Sequence, residues 1–264
     1  MNFSGKTFWI TGASSGMGKA VAVALAKFNT RIIISGRDID SLKITAGEIE
    51  KNGSIARIEV LDMLDTESIV KTAKRVLSDE EKIAGLYHFA GISQRSLLIE
   101  TPLENTRKIM EINFFGVVAL TNIILPSMIV NGEGQIAAAS SLVGKFGFPY
   151  RSAYASSKHA LHGYFETLLA ENYDKGICIS MLIGGRIQTN ISKFAIDKDG
   201  RHHDKMDAGQ DKGISPKKAA QQILKGLKKD KREIPVGGNE LVMLKIKRFF
   251  PGLHARLIRK LNPM

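Results

Sequence analysis

The chain has 264 residues, 44% of them hydrophobic, enough to bury a sizeable core and to exclude disorder as its main description. Its single cysteine, Cys178, excludes a disulfide scaffold and any multi-cysteine metal site. The net charge of +12 is uneven: residues 217–264 hold 13 basic and 3 acidic side chains, leaving +2 for everything before them, so a general nucleic-acid surface on the body is not expected.

The opening MNFSGKTFWI lacks the charged start and long apolar run of a secretion signal, and no uncharged apolar stretch is read as a spanning helix. A cytoplasmic protein is the expectation. From there, Ile/Val-rich runs alternate with amphipathic stretches. Strands are predicted at 7–11, 31–36, 56–62, 85–91, 134–140 and 177–183. Helices are predicted at 19–28, 39–52, 66–78, 104–129 and 153–174. Apolar residues that run continuously through the strands indicate a mostly parallel sheet covered on both faces, and right-handed crossovers make it doubly wound. The predicted class is a single α/β domain of the Rossmann type, with a polar insert at 190–215 and a basic C-terminal extension at 240–264.

Between the first strand and the first helix lies TGASSGMG, residues 11–18. Gly12, Gly16 and Gly18 let the backbone turn tightly and come close to a bound pyrophosphate, which the positive helix start then faces. After the second strand stands Arg37, in SGRD; a guanidinium there suits the 2′-phosphate of NADP, where NAD-binding chains carry an acid. NADP(H) is therefore expected over NAD(H).

The stretch 138–161, AASSLVGKFGFPYRSAYASSKHAL, holds Tyr154 four residues before Lys158, with Ser141 thirteen residues before the tyrosine. Positions four apart share a helix face, so the two side chains lie one turn from each other. A free phenol has a pKa near 10, and a nearby ammonium is expected to lower it toward a useful range. A phenol so activated is suited to exchange a proton with a carbonyl oxygen.

The glycine turn together with the Ser-Tyr-Lys spacing resembles the short-chain dehydrogenase/reductase family. From the turn to Ser215-Pro216 the chain also resembles the branch containing dehydrogenase/reductase member 7. The resemblance implies a dinucleotide held by Gly12, Ser14, Ser15, Gly16, Met17, Gly18, Arg37, Asp62, Ala90, Gly91, Asn113, Tyr154, Lys158, Ile187 and Thr189. It implies catalysis by Ser141, Tyr154 and Lys158, with Asn113 of MEINFFG supporting a proton path. Two departures from the pattern stand out: His88-Phe89 where the family usually has two asparagines, and Gly184 where it usually has proline. His88 reads as a structural substitute.

A small carbonyl or alcohol is the implied substrate, and a homodimer or homotetramer the implied assembly. Two other readings stay open: a catalytically weak dinucleotide-binding interaction protein, and a membrane-surface reductase of a lipid-like ketone. The second rests on the tail, where Leu253, Leu257, Ile258 and Leu261 share one side of a helix opposite Arg256, Arg259 and Lys260. That stripe can lie on an anionic membrane or pack over the substrate cleft.

Overall fold

The computed structural model describes residues 1–80 and 82–260. Seven parallel strands form one sheet in the order β3-β2-β1-β4-β5-β6-β7: β1 Thr7–Thr11, β2 Arg31–Gly36, β3 Ile55–Val60, β4 Ile83–His88, β5 Gly134–Ser141, β6 Ile177–Gly184 and β7 Glu233–Val236. The Ile/Val runs build it because residues of the central strands are buried on one face or the other. Phe8, Ile10, Ile32 and Ile34 point to one layer, and Trp9 and Ile33 to the opposite one.

The first layer holds α1 (Gly16–Leu25) and α2 (Ile39–Glu50), the second α3 (Thr66–Asp79). Next along the chain come α4 (Leu103–Met110) and α5 (Gly116–Val130), joined without a break by a π-helical turn, Glu111–Phe115. One helix was predicted over 104–129, and the π turn is the correction; it falls on Asn113, and such bulges favour functional positions. The whole helical run 103–130 is long and apolar enough to cross a membrane, against the expectation that no stretch would be. Within the fold α5 is a core helix, with Leu120, Ile124 and Met128 buried and packing against α3 and β4. The second layer is completed by α6, Ser152–Glu171.

The last quarter departs most from the sequence reading. After the short α7 (Ala208–Asp211), α8 (Pro216–Leu227) packs on α1, and β7 pairs in parallel with β6. Half of the basic stretch is therefore body rather than appendage, its lysines ringing the solvent face of α8. The extension proper is α9 (Val242–Phe249) and α10 (Pro251–Lys260). The predicted stripe is split there, with Leu253 exposed and Leu257 and Ile258 half-buried; Leu261 lies outside the described residues.

Candidate active site

The strand order reverses between β1 and β4, and loops at the carboxyl ends of strands open a crevice at such a point. The glycine turn sits there. Gly12 has a φ of +67°, and a Cβ on it would stand 2.5 Å from the Ala90 backbone nitrogen. A Cβ on Gly18 would meet the Gly12 carbonyl at 2.3 Å, so both positions admit only glycine without a backbone shift. Gly16, φ +56°, faces Thr189, and Ser14 faces Gly36 at the end of β2. Helix α1 begins with its N-cap Ser15 making no side-chain cap bond and no acid in its first turn. Its first N–H groups and dipole are thereby free to face an anion.

The other nucleotide candidates gather around this turn, with Met17 on α1 beside Gly16. Arg37 follows β2 and is exposed, while its neighbour Asp38 is consumed in capping α2, accepting from Asp40 and Ser41 N–H at 3.1 and 3.2 Å. Asp62 is half-buried beyond β3 and accepts from Leu64 N–H at 3.0 Å. Ala90 N–H donates to Thr11 Oγ1 at 3.4 Å. Ile187 is buried after β6, and its carbonyl and the Thr189 hydroxyl both accept from the Gln210 amide.

Asn113 is fully buried and clamps one residue from both sides. Its Oδ1 accepts from Ile92 N–H and its Nδ2 donates to Ile92 C=O, each at 2.9 Å. Nδ2 also donates to Ser157 Oγ at 3.0 Å, tying the π turn to α6. A Cβ on Gly91 would lie 3.0 Å from Asn113 Oδ1 and 3.6 Å from Lys158 Nζ, so these three meet at the end of β4.

On α6, Tyr154 and Lys158 are both buried. Gln94 sets the start of this helix, its Oε1 accepting from Ala153 N–H at 2.8 Å where Arg151 offers no side-chain cap. Ser140 and Ser141 point to opposite sides of β5. Ser140 turns inward to His162 Nε2 at 2.9 Å, while Ser141 lines the cavity.

The electrostatics differ from the expectation for the Tyr-Lys pair. Burial raises the Tyr154 phenol above its ordinary value, and the groups drawing it back down are Arg151, the Ser141 hydroxyl and Arg95. Lys158 Nζ stands 5.7 Å from the Tyr154 ring centroid and donates to Ala139 C=O at 2.7 Å. Burial pulls this lysine down to about 8. The Lys158 ammonium is thus engaged by a carbonyl near the end of β5.

Those guanidinium groups were not foreseen. Arg95 and Asp207 are a buried pair, bonded through Nε at 3.1 Å and Nη2 at 2.5 Å, and Arg151 reaches the same carboxylate at 2.8 Å. Asp207 belongs to the insert, in which Ser192, Ala195 and Ile196 are buried and Ile196 pairs with Gln94. Beside Ser141 a cavity of about 150 Å³ is walled by Phe146, Phe148, Arg151, Gly184, Asp207 and others, and roofed by Met243 and Ile258 of the extension. The tail thus packs over the cleft.

His88 is buried, with Nε2 3.0 Å from Thr121 Oγ1 and Nδ1 unpartnered. Burial, aided by Lys158, pushes it down to about 3. Its ordinary value is near 6.5, so the unfolded chain takes up a proton between pH 6.5 and 3 that the folded chain refuses. This contribution to stability is intact above pH 6.5 and is lost as pH falls toward 3, on the order of 5 kcal/mol when complete. The melting temperature of His88→Gln should accordingly fall less between pH 7 and pH 4 than that of the parent. Equal falls in both would remove His88 as an acid-sensitive group.

Comparison with known proteins gives the following likenesses. The family model described as short chain dehydrogenase matches residues 6–200. Dehydrogenase/reductase SDR family member 7B of Danio rerio is 34% identical over 265 residues, spanning 97% of this chain and 85% of that protein. An alcohol dehydrogenase from Thermococcus sibiricus, solved with 5-hydroxy-NADP, is 27% identical with a TM-score of 0.76, over 89% of this chain and 97% of that one. A short chain dehydrogenase/reductase from Burkholderia phymatum, solved with NAD, shares the fold at 20% identity and a TM-score of 0.83, covering 100% and 98%.

Proposed function

This chain belongs to the short-chain dehydrogenase/reductase family, in its member 7 branch, and on that footing we propose that it is an NADP(H)-dependent oxidoreductase of ketones, aldehydes or secondary alcohols. The observation that carries the reading is that Tyr154 and Lys158 are buried one turn apart on α6, with Lys158 meeting Asn113 at Gly91 and Ser141 at the end of β5 lining the cavity. The crevice fits a dinucleotide. Gly12 and Gly18 leave no room for a Cβ, α1 presents uncapped N–H groups to a pyrophosphate, and Arg37 is exposed just past β2, where a guanidinium suits a 2′-phosphate. When bound, the nicotinamide supplies or accepts the hydride.

The chain's own residues then handle the oxygen. Burial keeps Tyr154 protonated at neutral pH, which suits it to donate the proton in the reductive direction. Ser141 Oγ donates a hydrogen bond to the same oxygen, and Arg151 and Arg95 stabilise the phenolate left behind. Lys158 and Asn113, meeting at Gly91, would hold the ribose side of the cofactor and fix the end of β4.

A panel of ketones with NADPH and NADH tests the reading. Parent protein should turn over with NADPH and bind it more tightly than NADH. Arg37→Asp should weaken NADPH by about 10–100-fold, the worth of a lost charge-assisted phosphate contact, and leave NADH little changed. Equal affinity of the parent for both nucleotides would defeat the cofactor assignment. Tight NADPH binding with no turnover on any ketone would favour the dinucleotide-binding interaction protein instead.

A further inference from the structure

Residues 241–260 contain six Lys or Arg and no acid. They make α9 and α10, whose inner side is spoken for. Met243 and Ile258 roof the cavity, the His254 ring meets Phe146 edge-on at 4.6 Å, and Glu240 just ahead of α9 accepts from Arg186 N–H at 2.7 Å. The outer side is different. Val242, Phe249, Phe250 and Leu253 are all exposed, the two phenyl groups by 65% and 62%. Among the described residues, none of Lys245, Lys247, Arg248, Arg256, Arg259 and Lys260 forms an ion pair.

The phenyl groups sit at the joint, because Pro251 opens α10 and holds the residue before it out of the helical region; Phe250 has φ −134° and ψ 61°. Large apolar side chains clustered in solvent mark an interaction surface. Exposed phenyl rings that follow Lys247 and Arg248 directly, with Arg248 5.6 Å from the Phe249 ring, match one partner in both respects. The headgroup layer of an anionic bilayer takes the charges, and the acyl boundary beneath it takes the rings. A polyanion without an apolar layer would satisfy the cations alone, and a second copy of the chain would bring the same positive charge to the face. We propose that α9 and α10 form a docking surface for an anionic lipid bilayer, so that the roof of the cavity is the part of the protein held at the lipid. This assignment stands apart from the oxidoreductase reading.

Sedimentation of the full chain with lipid vesicles tests it without any turnover or cofactor. Vesicles of phosphatidylcholine alone should bind little, while those with about 30% phosphatidylglycerol should bind, and less so as salt shortens the screening length. Lys247→Glu with Arg248→Glu should lower partitioning by roughly 10-fold or more through the lost headgroup attraction. Phe249→Ser with Phe250→Ser, which keeps every charge, should also lower it by roughly 10-fold through lost apolar burial. Both variants should keep the parent's melting temperature, since these side chains are exposed. No binding by the parent to anionic vesicles would overturn the proposal, as would parent-like binding by the serine variant. A parent dimer that the serine variant converts to monomer, with no vesicle binding by either, would assign the face to a second copy and overturn it too.

Discussion

Asp207→Ala is expected to destabilise the fold by about 3–5 kcal/mol, the usual consequence of stranding buried charge. Asp207 is the only carboxylate paired with Arg95 and Arg151 among the described residues, and the Arg95–Asp207 pair is almost wholly inaccessible to water. Arg95 would retain the Ser93 hydroxyl at 2.9 Å and the Gln94 carbonyl at 2.6 Å, which satisfy hydrogen bonds but not charge. Arg151 already carries a buried Nε without a partner, and burial has drawn its guanidinium down to about 10. Losing Asp207 leaves it no opposing carboxylate. Urea unfolding measures the effect, and Arg95→Met added to Asp207→Ala should recover part of it by removing one stranded cation. A loss below about 1 kcal/mol for the single substitution would mean that solvent reaches the site more freely than its burial implies. Because Arg151 also faces the Tyr154 phenol, the single variant should lose activity in conditions where it is still folded.

Tyr154→Phe is expected to lower turnover by about 10²–10⁴-fold, the range that a positioned general acid contributes. The substitution keeps the ring that packs with Val143, Ala155, Phe148 and Ile191, so melting temperature and nucleotide affinity should stay near those of the parent. What disappears is one hydroxyl and, with it, the proton proposed for transfer. Ser141→Ala should cost less, since it removes a hydrogen bond to the oxygen but leaves the proton in place.

The first six strands and their covering helices were legible because a buried parallel strand is written as an uninterrupted apolar run, such as RIIISG at 31–36. Strand β7 escaped because it is four residues long, has Pro235 inside it, and buries only alternate residues at the edge of the sheet. Helix α8 was hidden in a lysine-rich stretch, although Ser215 followed by Pro216 is a start signal; the Ser215 hydroxyl does cap Lys218 N–H. Tyr154 and Lys158 could be read because four-residue spacing on one helix sets them one turn apart, and Ser141 because its spacing from the tyrosine resembles the family pattern. Arg95 and Asp207 could not, since they are separated by 112 residues and both lie in irregular segments whose pairing only the folded chain reveals. For the same reason the cations acting on the phenol were assigned to the lysine one turn away.

The most direct test of hydride chemistry at this site is the fate of deuterium. The protein should be incubated with NADPH deuterated at the transferable C4 position and a ketone that it turns over. One deuterium should appear on the carbinol carbon of the product, at a rate that Tyr154→Phe lowers at least a hundredfold while still binding the nucleotide. Product without deuterium at that carbon, or deuterium transferred equally fast by Tyr154→Phe, would contradict the assignment.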